Sequence, residues 1–234
     1  MAAPTIQAGN QSGASSGNET TTVVTVPSTA PAGDLIFIPM GSDANGQVFT
    51  FPAGFTELYN DEAFQTVASA DVAYKTSAGG ESNYSITLGT TERQVWQSFA
   101  VTGHNGIHVS PASNNGSSGT ATFPAMTTTV NDCLGIRVCV TDQNATSTVP
   151  FGAMSGSGWT LLAEIFGTSA GAVGVWYKTL ATAGTEASGT ATLNVSEQWW
   201  TASFAIAPVA ATSEKSRSIL QVRSRTLPLP YLRI

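Results

Sequence analysis

Charge is what this chain lacks most. Only 10% of its 234 residues are Asp, Glu, Lys or Arg, against roughly a quarter in an average globular domain. A surface so sparsely charged repels its neighbours weakly, which suits packing in an assembly. Cysteine is nearly absent. Cys133 and Cys139 sit six apart in one strand-like stretch, about 20 Å from each other on one face at ~3.3 Å per residue. That is beyond disulfide reach, and free thiols fit synthesis and folding in a reducing cytoplasm. No apolar run approaches the ~20 residues of a membrane helix, so no membrane partner is expected. The start, Met1-Ala2-Ala3-Pro4, lacks the cationic and apolar segments of a secretory signal. No stretch has a convincing helical period. Neither Gly-x-x-x-x-Gly-Lys-Ser/Thr nor His-Glu-x-x-His occurs, so the common nucleotide and zinc-protease signatures are missing.

The net charge of −6 is unevenly spread. Residues 1–211 hold Lys75, Arg93, Arg137 and Lys178 against 14 acids, or −10; residues 212–234 hold Lys215, Arg217, Arg223, Arg225 and Arg233 against Glu214, or +4. An acidic body carries a basic arm. Phosphate binding needs a cationic surface, so nucleic acid is not an expected partner of the body.

What the chain has in quantity is Thr, Ser, Ala, Gly and Asn, and it uses them twice. Gly54-Phe55-Thr56-Glu57-Leu58 recurs as Gly158-Trp159-Thr160-Leu161-Leu162, and Val72-Ala73-Tyr74-Lys75-Thr76 as Val175-Trp176-Tyr177-Lys178-Thr179. Glu81–Thr102 aligns without a gap on Glu186–Ala207, with about a third of positions identical. Self-similarity at a fixed period sets architecture before any residue is read for chemistry. The duplicated residues are aromatics, glycines and β-formers. What was copied is a fold.

Short apolar or alternating runs separated by Gly, Pro, Asn and Ser clusters predict an all-β chain: two tandem antiparallel β-sandwich domains plus an extended C-terminal arm. Residues 1–19 read as a polar leader, 20–103 as the first sandwich, 104–119 as a junction, 120–208 as the second sandwich and 209–234 as the arm. Alternation assigns faces. Val95, Phe99 and Val101, with Trp200, Phe204 and Ile206, should point inward. Trp96, Trp176 and Trp199 fall on the opposite, outward face. In the arm, Ile219, Leu220, Val222, Leu227, Leu229, Tyr231, Leu232 and Ile234 mix with Arg223, Arg225 and Arg233. Pro228 and Pro230 block a helix. Such a greasy, extended segment is usually held by strand addition to a neighbour's sheet edge or in its groove.

The pattern Pro52-Ala53-Gly54-Phe55-Thr56-Glu57-Leu58, Val72-Ala73-Tyr74-Lys75 and Glu81 to Leu88, with its second copy at Gly158, Trp176 and Glu186, resembles a β-sandwich module of tailed-bacteriophage virion proteins over about residues 20–208. The resemblance implies a jelly-roll-like sandwich and a place in a virus particle, as head decoration or as a neck or tail component. It supplies no catalytic motif. The partners expected are other virion proteins and further copies of the chain.

Candidate chemistry is thin. His104 and His108 have i, i+4 spacing, but in a Gly/Asn/Ser segment where a loop role outweighs metal binding. Cys133, Arg137 and Cys139 share a strand face, where buried thiols are commoner than reactive ones. Glu92 and Glu197 are equivalent, as are Asp43 and Asp142, and each reads as a turn or capping residue; two isolated acids lack the ligand count of a calcium site. No catalytic residue, metal site or cofactor is expected, and the chain reads as a non-enzymatic structural protein of the virion. The alternative is a carbohydrate-binding adsorption protein recognising host glycans, with Trp96, Trp176 or Trp199 as stacking platform. The competing role for those rings is an interface between subunits.

Overall fold

The computed structural model describes residues 2–15, 17–64, 68–142 and 151–210. The arm residues Ile219, Leu220, Val222, Arg223, Arg225, Leu227, Leu229, Tyr231, Leu232, Arg233 and Ile234 lie outside them. The first half contributes β1 (Thr5–Ile6), β2 (Gln11–Ala14), β3 (Glu19–Thr25), β4 (Leu35–Ser42), β5 (Phe49–Thr50), β6 (Thr56–Phe64), β7 (Ala68–Thr76), β8 (Asn83–Glu92) and β9 (Gln94–Thr102). The second contributes β10 (His104–Phe123), β11 (Met126–Thr128), β12 (Cys133–Thr141), β13 (Phe151–Met154), β14 (Thr160–Gly167), β15 (Gly171–Leu180), β16 (Gly184–Glu186) and β17 (Gly189–Pro208). The all-β, sandwich-type expectation holds. There is no helix among the described residues, and every strand pair is antiparallel.

Each half centres on its most apolar strand. In the first, the sheet order is β1-β9-β4-β7-β6, with β2 also on β9; in the second it is β10-β17-β12-β15-β14, with β13 on β17. β4 and β12 are buried along their whole length, which is why they read as unbroken apolar runs rather than alternating ones. Each is covered on both faces. A three-stranded sheet, β3-β8-β5, covers the outer face of the first central sheet. Over the second lie β11-β16 and the outer parts of β10 and β17, which pair there as Thr120–Phe123 with Gly189–Thr192.

The two halves are not beads on a string. Their central sheets pack face to face and share one hydrophobic core: Leu35, Phe37, Val72, Val95, Phe99 and Val101 meet Leu134, Ile136, Val138, Val175, Trp200, Phe204 and Ile206. The ring of Phe37 stacks on Phe99 within its sheet at 5.1 Å and on Phe204 across the interface at 5.6 Å. Tyr59 meets Trp200 at 5.1 Å. Gln97 Nε2 donates to Val173 O at 2.9 Å. Burying a side chain such as Phe contributes about 1.5–3 kcal/mol, so this interface is a principal source of stability. The residues expected to point into a sandwich do so, but the sandwich they fill is made by both halves.

Three expectations change. The leader is not an appendage, because β1 and β2 pair with β9. The junction at 104–119 is not a linker, because it lies within β10 and pairs with β17 in the same way. Each half therefore begins about 15 residues earlier than composition suggests. The weak signal was Gly13 and Gly116. A Cβ at either would lie about 2.4–2.5 Å from the Cζ2 of Trp96 or Trp199, so each glycine lets its edge strand cross an indole. Third, the outward faces are not exposed. Trp96 packs with Ile36, Ile38, Met40 and Ala100 under the first outer sheet; Trp176 and Trp199 pack with Phe123, Cys139 and Phe151 under the second outer layer.

The interface is tight enough to be tested by a single methyl. A Cβ at Gly41 would fall 2.4 Å from Val140 Cγ1 in the other half. Gly41→Ala is expected to destabilise the chain by about 1–3 kcal/mol, and Val140→Ala in the same chain to recover part of that loss. Calorimetry on the three variants checks this, and a single unfolding transition is expected throughout.

Candidate functional site

The duplicated motifs build two clamps. In the first half Lys75 Nζ lies 2.5 Å from Glu81 Oε1 and donates to Tyr84 Oη at 2.7 Å. The ammonium also sits 4.8 Å from the Tyr84 ring centre and 5.7 Å from that of Phe55. In the second half Lys178 Nζ donates to Glu186 Oε1 at 2.8 Å and to Oε2 at 3.0 Å. Trp159 Nε1 donates to the same carboxylate at 3.1 Å. Each clamp ties a central-sheet strand to the segment leading into the outer layer. Burial alone would raise the Glu81 pKa, but the hydrogen bonds from Lys75, Tyr84 and Ser77 hold it down to about 2. In each motif a lysine, a glutamate and an aromatic ring fasten two layers.

The second clamp has an extra member. Arg137 is 1% exposed, lies 4.3 Å from the Trp159 ring centre and 5.6 Å from that of Phe123, and donates through Nη2 to Ala187 O. Burial lowers its pKa to about 10, with Glu186 opposing the drop. Trp159, half-buried between this guanidinium and the Lys178–Glu186 pair, has a role that its sequence position alone did not reveal.

The repeated acids meet at one end of the shared core. Asp43 follows β4 and Asp142 follows β12, and their carboxyl groups hydrogen-bond across the two halves. Glu92 flanks Asp43 and Glu197 flanks Asp142. Backbone bonds fix the corners: Ser42 Oγ donates to Arg93 O at 3.0 Å, and Asp142 N to Gln198 O at 3.1 Å. Sequence reading found the two equivalences and treated them as separate turns; only the face-to-face packing brings them together. Burial, then the Asp142 carboxyl, then Glu92 push Asp43 up to about 7. Burial and Asp142 push Glu197 up to about 8. A third acid, Asp71 on β7, is raised to about 9 by burial and by Glu57.

The remaining candidates are tied into structure. His104 Nε2 bonds Gly33 O at 2.9 Å while its Nδ1 accepts from Gly106 N at 3.1 Å. His108 Nε2 accepts from Thr129 N at 3.0 Å. The thiols of Cys133 and Cys139 are buried, and burial raises both pKa values. A Gly-x-Ser-x-Gly spacing does occur at residues 13–17. Its Ser15 ends an edge strand rather than a strand-to-helix turn, and Ser15 Oγ accepts from Gln94 N at 2.9 Å. Among the described residues no group of three or more His, Cys, Asp or Glu is placed to hold a metal ion. Trp96, Trp176 and Trp199 are 7%, 2% and 5% exposed. Rings so enclosed offer no face to a sugar or to a neighbouring subunit, so the platform reading of these three residues is withdrawn. Both faces of a central strand are core here, and alternation cannot distinguish an outer core from solvent.

No family model matches the chain, and no curated protein or solved structure does either. The geometry therefore stands alone.

Its protonic consequence has a definite sign. Asp43, Asp71 and Glu197 have folded pKa values above the ordinary 3.8 to 4.5, so between those limits the folded chain holds protons that the unfolded chain has released. Their contribution is complete below about pH 4 and is lost as pH rises towards 9. Glu81, depressed to about 2, acts oppositely: its contribution is present above about pH 4.5 and lost below. Thermal melting is expected to peak near pH 5 and to fall by roughly 5–10 °C by pH 9, with Asp43→Asn flattening the slope around pH 7.

Proposed function

We propose that this chain is a non-enzymatic structural protein of a bacteriophage particle, held to neighbouring subunits through its C-terminal arm. The observation that carries the reading is where the duplicated residues go. They fill cores or close the two Lys–Glu–aromatic clamps. Residues kept through duplication for layer-to-layer fastening suit a part whose task is to be rigid. The motif pattern adds support through its resemblance to virion β-sandwich modules, as does a body of −10 carrying a segment of +4. Head decoration, neck and tail positions all fit this description.

The reading has a direct test. Removing residues 212–234 is expected to abolish co-purification with virus particles from an infected culture. The melting temperature of the remaining chain is expected to change little, because the shared core and both outer-layer cores are filled by residues that precede the arm. Undiminished incorporation of the shortened chain would overturn the proposal.

A further inference from the structure

Every cation of the described body is already engaged. Lys75 and Lys178 are held by Glu81 and Glu186, Arg137 is buried against Trp159, and Arg93 Nη1 donates to Thr168 O at 2.9 Å. The other five, Lys215, Arg217, Arg223, Arg225 and Arg233, all belong to the arm. The acids are not so evenly spread over the sheet edges. β6 ends its sheet and pairs only with β7 among the described residues. Its sequence holds Glu57, Asp61 and Glu62 and no cation. Glu57 is exposed. Behind this edge Asp71 is fully buried, and Asn60 Oδ1 beside it meets no donor. The edge is acidic in sequence, and the exposed carboxylate of Glu57 suits a guanidinium, which brings five donors and no acceptor. The other long edges differ. β10 has no acid; β14 has Glu164 alone, whose Oε2 already accepts from Phe151 N.

We propose that the receptor for the arm is β6 of a second copy of this chain. The arm would add along that open edge as an antiparallel strand, with Arg223 and Arg225 against its acids. This rests on the arm-anchored reading above and names its partner. Direction argues for a second copy. Gly41 and Val140 touch near the ends of β4 and β12, so these strands run the same way. Ile206 pairs with Leu134, and Thr56 pairs with Tyr74, the partner of Phe37. The chain therefore leaves β17 at the end of the sandwich where β6 begins, and an arm continuing directly onto its own β6 would run parallel to it. Every pair among the described residues is antiparallel, and a second copy can present β6 in that sense. Like charges on the edge oppose pairing of β6 with itself, while a cationic strand is admitted.

The test is a charge exchange in the full chain, read by sedimentation at low salt. Glu57→Lys and the pair Arg223→Glu/Arg225→Glu should each weaken self-association about tenfold, as should salt near 0.5 M. Combining them should restore most of the loss. If Glu57→Lys associates like the parent while the arm reversal does not, β6 is not the receptor, although anchoring by the arm survives. A full chain that stays monomeric, yet still needs residues 212–234 to enter particles, overturns the second copy alone. If removing the arm changes neither association nor incorporation, the anchoring reading fails and this inference with it.

Discussion

The packing of one central sheet directly on the other is the constraint from which the rest follows. It makes β4 and β12 largely apolar on both faces, Arg137 apart, because each is roofed by the partner sheet on one side and by its own outer layer on the other. Ionised groups are costly to bury there, so the acids that begin the loops after these strands collect where the core ends. Once both halves place an aspartate and a glutamate at that end, the carboxyls gather there, and burial beside Asp142 raises the pKa values of Asp43 and Glu197. The acid cluster is thus a by-product of the symmetry of packing, and it links the joint between the halves to pH.

Scarcity of charge acts the same way on the cations. With four of them in residues 1–211, two close the clamps, one is buried against tryptophan and one caps a turn carbonyl. Nothing is left to balance the acidic surface from within. A complementary partner must bring its own positive charge, and the arm is where this chain keeps it. On the proposed reading, electrostatic complementarity would select and orient a partner more than tighten it, and the apolar residues of the arm would supply much of the affinity.

Much of the architecture was legible in the sequence because the signal was local. Leu35–Met40 and Leu134–Val140 announced buried strands, Gly and Pro clusters marked the turns, and the repeat set the order. Three things were not legible, for physical reasons. The edge strands β2 and β10 are built from Ser, Asn, Gln and Gly, since their outer sides meet solvent and they pay little in propensity for pairing with a well-formed neighbour. Their composition matches that of a linker. The tryptophans were misplaced because period-two alternation separates two faces and says nothing of what covers each. The acid cluster depends on contacts between positions about 100 residues apart, Asp43 with Asp142, which no local window contains. For the candidate site, sequence identified the right pairs of acids and could not bring them together.

The halves are related but not interchangeable, and the differences are complementary. Gly41 stands where the second half has Val140, and the valine of one occupies the space left by the glycine of the other. Ile38 packs under the first outer sheet; its counterpart Arg137 needs Gly189, where a Cβ would collide with the guanidinium. Asp71 corresponds to Gly174, whose missing side chain admits the rings of Trp176 and Phe151 edge to face at 5.4 Å. Two identical halves could not make the first of these contacts, since two glycines would leave a void and two valines would clash. Divergence after duplication therefore fitted each half to the other, and fused a symmetric pair into a body whose two ends, edges and charges are no longer equivalent.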